Sequence, residues 1–183
     1  MMKRTVLAVH LAAAALAAPA AAQSFTPPAE CAAFLTVQAK GCRVTTYWRC
    51  PDDAAGVVWQ GSHDGEGPVS LAKYDDEFQW LDTAYSDGWT ERLIAPSTDP
   101  ISITDFLARG WDGYDFTLEA DPGEAEGEPT RTFVRGLDAL TGEATEIDGE
   151  TLLVTRFQAA YTDAAGAVLA AAAGRQYFSP THR

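Results

Sequence analysis

Residues 57–74, VVWQGSHDGEGPVSLAKY, place two strand-like runs on either side of the turn sequence DGEG at positions 64–67. An Asp that opens a turn bonds the backbone two residues further on, and Gly takes the φ > 0 position that other residues resist. The D-x-x-G pattern therefore suits a type I turn closed by a glycine bulge, which joins antiparallel strands. This stretch predicts a β-hairpin.

The same turn chemistry recurs along the chain. D-x-x-G returns at 53–56 and 163–166, and Asp-Gly, which suits a two-residue type I′ turn, stands at 87–88, 112–113 and 148–149. Between these signals lie runs rich in Val, Thr, Tyr, Phe and Trp, the residues that favour strands. We therefore predict about nine antiparallel strands in a mainly β fold.

Two segments have helical signals instead. The sequence at 26–28, Thr-Pro-Pro, suits an N-cap followed by proline in the first turn, and apolar residues recur at Cys31, Phe34 and Leu35 before Gly41, which can end a helix. This predicts a short N-terminal helix.

The second helical signal lies in the middle of the chain. Ser102 and Asp105 form a capping box, Phe106 and Leu107 are apolar, and Gly110 can close the helix. This predicts one short helix that connects two groups of strands.

About nine strands cannot remain one open, flat sheet. They must close into a barrel, curl into a half-barrel around a helix, or split into a β-sandwich. The dominance of hairpins favours the barrel or half-barrel, whereas the connecting helix, which interrupts a simple meander, is the argument for the sandwich. The 183 residues, 46% of them hydrophobic, fit a single antiparallel β domain over residues 23–183 after a leader.

The first 22 residues have the pattern of a signal peptide. Lys3 and Arg4 precede an apolar stretch at 6–18, and the alanines at 20–22 offer a cleavage site. We therefore expect a periplasmic or secreted product with no integral membrane segment after leader cleavage. The net charge of −13 describes an acidic surface, which repels nucleic acid and anionic lipid.

Three cysteines, Cys31, Cys42 and Cys50, fall close together, and two of them should pair in an oxidising compartment. The predicted helix would hold Cys31 about 15 Å from Cys42, and a strand would hold Cys42 about 26 Å from Cys50. A disulfide needs Cα atoms within about 7 Å. We therefore predict a Cys31–Cys50 bond and a free, buried Cys42. The cysteine and histidine spacings do not suit a zinc site, and we expect no metal and no cofactor.

The candidate binding residues are Tyr74, Asp76, Phe78 and Trp80. They share one face if residues 69–85 form a single long strand, and a bulge near Lys73 would put Val69 and Leu71 on that face as well. One carboxylate among aromatic rings suits a ligand cavity. It also suits an internal ion pair with arginine, or a general acid with a raised pKa.

Motifs of catalysis are scarce. The chain has no G-x-S-x-G and no H-E-x-x-H element, and His63 is the one plausible imidazole base. We expect a noncatalytic accessory or binding protein of the cell envelope that holds an apolar small molecule, or a segment of an envelope protein, in an aromatic cavity. The alternatives are a hydrolase that acts on carbohydrate through Asp76 and a second carboxylate, and a structural domain that binds proteins through its sheet edges.

Overall fold

The computed structural model describes residues 26–123 and 127–182, so the signal peptide expected at 1–22 lies outside the described residues. Within them, no helix has the length and apolar character needed to cross a bilayer. The elements are β1 (Ala32–Ala39), β2 (Arg43–Arg49), β3 (Val58–Asp64), β4 (Gly67–Tyr74), β5 (Trp80–Tyr85), β6 (Thr90–Asp99), α1 (Ile103–Arg109), β7 (Trp111–Asp121), β8 (Thr130–Ile147), β9 (Glu150–Thr162) and β10 (Val168–Phe178).

The ten strands form one antiparallel sheet in which each strand pairs with the next along the chain. The predicted turns account for this order. At the β9–β10 turn, Asp163 Oδ1 accepts hydrogen bonds from the N–H groups of Ala165 and Ala167 at 2.9 and 2.8 Å, and Gly166 has φ 82°. At the β8–β9 turn, Asp148 and Gly149 both have positive φ, as a type I′ turn requires. The mainly β, antiparallel prediction is confirmed.

One predicted turn is wrong. Asp112 and Gly113 lie inside β7, where Asp112 pairs with Asp138 of β8 and is only 3% exposed. The chain does not reverse at this dipeptide, because residues from Trp111 to Leu118 pair continuously with β8.

The sheet is curled and open. Strands β2 and β10 are eight positions apart, which in a flat sheet would be about 38 Å. Side chains of both strands nevertheless line one cavity. Among the described residues, β1 and β10 do not pair and so leave the sheet unclosed. The half-barrel, one of the two forms favoured by the sequence, describes this arrangement.

Helix α1 confirms the predicted connecting helix. Ser102 is the N-cap, and its side chain accepts a hydrogen bond from the N–H of Asp105 at 3.1 Å. At the other end Gly110, with φ 81°, donates its N–H to Phe106 O at 2.8 Å. The Phe106 ring packs on Phe178 of β10 with centroids 5.5 Å apart. The helix therefore lies on the concave side of the sheet.

The predicted N-terminal helix is wrong, because residues 32–39 form β1 and pair with β2. The apolar spacing at Cys31, Phe34 and Leu35 is compatible with a helix. Cross-strand pairing over the whole of β2, with a bulge between Ala33 and Leu35, outweighs it.

The Cys31–Cys50 disulfide is confirmed, with a Cα–Cα distance of 4.2 Å. The β1–β2 register sets the two cysteines side by side, since Ala32 pairs with Arg49. Cys42 is free, but it is exposed and not buried as predicted. It lies with Gly41 in the β1–β2 turn, where both residues have positive φ.

Residues 69–85 do not form a single strand. Strand β4 ends at Tyr74, the chain reverses over residues 75–79, and β5 begins at Trp80. Asp75 Oδ1 accepts the N–H groups of Glu77 and Gln79, both at 2.9 Å, and fixes this reversal. We call residues 75–79 the β4–β5 turn.

The core follows the alternation of β7. Tyr114, Phe116 and Leu118 point to one side, as their even spacing predicts, and pack with Val134 of β8. Trp80 meets Phe116 edge to face, with centroids 5.9 Å apart. This core forms the floor of the concave side.

Candidate functional site: an aromatic cavity

A cavity of about 570 Å³ lies between the concave face of the sheet and α1. We call it the aromatic cavity. Described residues of eight strands line it, so its wall depends on the curl of the whole sheet. Its aromatic lining residues are Tyr47, Tyr74, Phe78, Trp80, Phe106, Tyr114, Phe157, Tyr161, Tyr177 and Phe178.

The structure brings together three of the four predicted binding residues. Tyr74, Phe78 and Trp80 line the cavity. Asp76 is exposed in the β4–β5 turn and lies against Gly56, so its predicted inward placement is wrong. The reason is the reversal of the chain, which breaks the strand alternation on which that placement depended. Ligand contact by the other three stays a prediction.

The β4–β5 turn instead holds the helix. Glu77 accepts hydrogen bonds from the Ser102 hydroxyl at 3.0 Å and from the N–H and hydroxyl of Thr104 at 2.8 and 2.5 Å. Gln79, 2% exposed, accepts the N–H of Ile101 at 2.9 Å. Ile101, Ser102 and Ile103 line the cavity, so this acidic turn sets the helical side of its wall.

Two cavity rings lie over glycines on the neighbouring strand. A Cβ at Gly136 would stand 2.3 Å from the Tyr114 ring, and a Cβ at Gly174 would stand 2.8 Å from the Phe157 ring. Each glycine is the cross-strand partner of the ring that covers it. The missing side chains therefore give the rings room to lie close to the sheet and leave space above them.

Burial affects the ionisation of four of the tyrosines that line the cavity. Burial raises the pKa of Tyr47, Tyr74, Tyr114 and Tyr161. The Tyr74 hydroxyl donates to Gln60 Oε1 at 3.2 Å. The wall is thus apolar over its rings, with hydroxyl groups that can donate or accept hydrogen bonds.

Two carboxylates, Asp112 and Asp138, also line the cavity, and the sequence reasoning missed them both. Burial, followed by the charge of Asp112, raises the pKa of Asp138 to about 6. Burial raises the pKa of Asp112 as well, against the lowering effect of a hydrogen bond from the Ser102 N–H. A signal for Asp112 was present, because it shares the even-numbered face of Tyr114. The signal was overlooked because Asp112 and Gly113 were interpreted as a turn.

A second cavity of about 760 Å³ adjoins the first on the side of β1. Tyr47, Phe78 and Ile103 line both cavities. On its rim the Phe34 ring stacks on His182, with centroids 6.5 Å apart. The concave space therefore continues from Asp138 towards the open edge of the half-barrel.

Other candidate groups lie away from this space. His63 does not line the aromatic cavity. Across residues 26–123 and 127–182, no group of three His, Cys, Asp or Glu side chains is placed to hold a metal ion. Comparisons with protein-family models, curated proteins and solved structures found no match. The geometry of the cavity therefore carries the functional argument.

Proposed function

We propose that this protein is a noncatalytic binding or accessory protein of the cell envelope that holds an apolar ligand, or an apolar segment of a partner, in the aromatic cavity. The observation that carries the proposal is the cavity itself, with its volume of about 570 Å³ and its aromatic lining. Ligand sites are typically concave, of roughly 300–1,000 Å³, and lined by apolar side chains with a few polar groups. Tyr74, Phe78 and Trp80 would contact the ligand.

The disulfide supports the cellular location in this proposal. Bonds such as Cys31–Cys50 persist in the periplasm and outside the cell and are rare in the cytosol. Together with the leader expected at 1–22, this favours export. Secretion of the intact chain, followed by sequencing of the mature N-terminus, tests that part independently.

A cavity-filling variant tests the binding. Ala159 lines the cavity and is 9% exposed, so Ala159→Leu should occupy ligand space. Ala160, the next residue on β9, points to the other face, where it lines a separate surface groove, and Ala160→Leu is the matched control. We expect a fluorescent apolar dye, titrated against each protein, to bind the Ala159 variant at least tenfold more weakly than wild type.

The control should bind within about twofold of wild type. Urea unfolding of both variants shows that each remains folded, and native mass spectrometry of protein from its own compartment shows whether a small molecule copurifies. Equal dye affinity in the two folded variants, with no copurified molecule, would remove the proposal.

One observation favours a second candidate, a hydrolase acting on carbohydrate. Asp112 and Asp138 are cross-strand partners, and a pKa of about 6 for Asp138 is typical of a general acid. Asp76 would take no part, since it lies outside the cavity. Hydrolysis of a glycoside panel, lost in Asp138→Asn with stability retained, would support this candidate, and uniformly inactive protein would eliminate it.

A further inference from the structure

Two carboxylates form the polar end of the aromatic cavity, and they differ in their hydrogen-bond and ion-pair partners. Asp112 accepts the Ser102 N–H at 2.9 Å and forms an ion pair with Arg109 at 3.5 Å. The side chain of Asp138, its cross-strand partner, has no hydrogen bond or ion pair within the described residues. Like charges that face each other across strands are unfavourable, and Arg109 relieves only one of them. Asp138 therefore presents uncompensated negative charge to the cavity.

An unpartnered hydroxyl lies on the same wall of the cavity. Thr155 of β9 is 3% exposed and lines the cavity, and its Oγ1 has no hydrogen-bond partner in the described part of the chain. Asp138 pairs with Phe157, which places Thr155 two residues away on the same face. Buried hydroxyls are nearly always hydrogen-bonded, so this one indicates a partner that binds there.

The surroundings favour a cation. Tyr114, Phe157 and Tyr161 line the same space, and the faces of aromatic rings attract ammonium groups. Of the described residues that line the cavity, none is Lys, Arg or His. The net charge of −13 adds a long-range attraction for cations and a repulsion for anions.

We infer that the ligand is an amphiphilic primary amine, with its ammonium group against Asp138 and Thr155 and its apolar body along the aromatic wall. An ammonium has three N–H donors, which can serve a carboxylate and a hydroxyl oxygen together. This inference rests on the proposed binding function and adds the chemical class of the ligand.

The test compares three probes that share one chain and differ in the head group: decylammonium, decanol and decanoate, each below its micelle concentration. Isothermal titration at pH 7.5 and 0.15 M salt limits the influence of distant surface charges. We expect wild type to bind decylammonium at least tenfold more tightly than decanol, and decanoate most weakly. Asp138→Asn should abolish the preference of the protein for decylammonium over decanol.

Glu146→Gln is the matched control, since it removes one negative charge from an exposed position on β8. It should keep the preference for the amine. Thr155→Val removes the hydroxyl at nearly constant shape and should weaken amine binding several-fold, whereas Thr151→Val, at an exposed position of the same strand, should not. If Asp138→Asn does not fold, the comparison of Thr155→Val with Thr151→Val tests the amine inference instead.

The outcomes separate the two claims. If decanol binds and decylammonium binds no more tightly, the amine inference is wrong and the binding function stands. A preference that survives in Asp138→Asn, or disappears equally in Glu146→Gln, also overturns the inference. If neither the three probes nor the dye binds, the proposed function fails together with it.

Discussion

Replacing Gly136 by alanine should displace the Tyr114 ring and so test the packing that shapes the cavity. The new Cβ would lie 2.3–2.4 Å from two ring carbons and the hydroxyl oxygen of Tyr114. Van der Waals contact between carbons begins at about 3.5 Å. The paired ladder of β7 and β8 restrains both backbones, so the ring has to move.

Two limits bound the cost. If the neighbours shift slightly and the ring stays buried, overpacking costs about 1–3 kcal/mol. If the ring leaves the core, where Tyr114 is 8% exposed, about 200 Å² of burial at about 25 cal/mol per Å² is lost, roughly 5 kcal/mol. The substitution also stabilises the protein by about 0.5–1 kcal/mol, because alanine loses less conformational entropy than glycine on folding. This gain offsets part of the packing cost. We therefore expect the free energy of unfolding to fall by about 2–4 kcal/mol.

Gly113 provides the control on the neighbouring strand. A Cβ there would meet its nearest atoms at 3.7–4.0 Å, which is ordinary contact, so Gly113→Ala should leave stability within about 1 kcal/mol of wild type. Urea unfolding of the oxidised proteins, followed by tryptophan fluorescence, measures both variants. An unchanged m-value would show that the unfolded states are comparable.

A double-mutant cycle identifies the clash as the cause. In a Tyr114→Ala background the ring is absent, and adding Gly136→Ala should then cost nothing. The reasoning is refuted if Gly136→Ala is no more destabilising than Gly113→Ala. It is also refuted if the penalty is the same with and without the Tyr114 ring.

Three further predictions concern stability. Removing the disulfide with Cys31→Ser and Cys50→Ser, whose sequence separation is 19, should lower the free energy of unfolding by about 3 kcal/mol in urea; no loss would contradict a constraining role. Glu77→Gln weakens charged hydrogen bonds at the start of α1 and should lower the free energy of unfolding in urea by about 1–2 kcal/mol. The control Glu146→Gln should leave that free energy nearly unchanged. Because the folded-state pKa of Asp138, about 6, lies above its unfolded value, wild type should lose stability as pH rises from about 4 to 7. Asp138→Asn should flatten that profile and be the more stable protein at pH 7, with no advantage at pH 4; parallel profiles would contradict this.

The sequence predicts local geometry well where a side chain bonds its own backbone. Asp163 with Gly166 forms the predicted bulged turn, and Ser102 with Gly110 limits the predicted helix. Such signals lie within a few residues and do not depend on tertiary context. Residues 32–39 show the opposite case, since their apolar spacing is ambiguous and their strand state depends on pairing with β2.

The candidate site was predictable only in part, for the same reason. Tyr74 and Trp80 end and begin paired strands, so their inward placement follows from alternation even though the chain reverses between them. Asp76 falls within the reversal, where alternation does not apply. Asp138 becomes notable only because β7 brings Asp112 opposite to it, and a cross-strand register is not contained in either segment alone.

The size of α1 explains why a cavity exists at all. Its seven residues span about 10 Å, whereas the strands from β2 to β10 would extend over about 38 Å if they lay flat. The helix can therefore cover only part of the concave face. Rings beyond it, such as Tyr74 and Trp80, pack against neighbouring rings but gain no dispersion energy on the side that faces the cavity. A ligand that fills this space binds the folded chain and not the unfolded one, so it must raise the midpoint of thermal unfolding in proportion to the logarithm of its concentration. If saturating decanol or decylammonium leaves the unfolding midpoint unchanged, the rings already pack against one another. The half-barrel would then have a structural role and no ligand site.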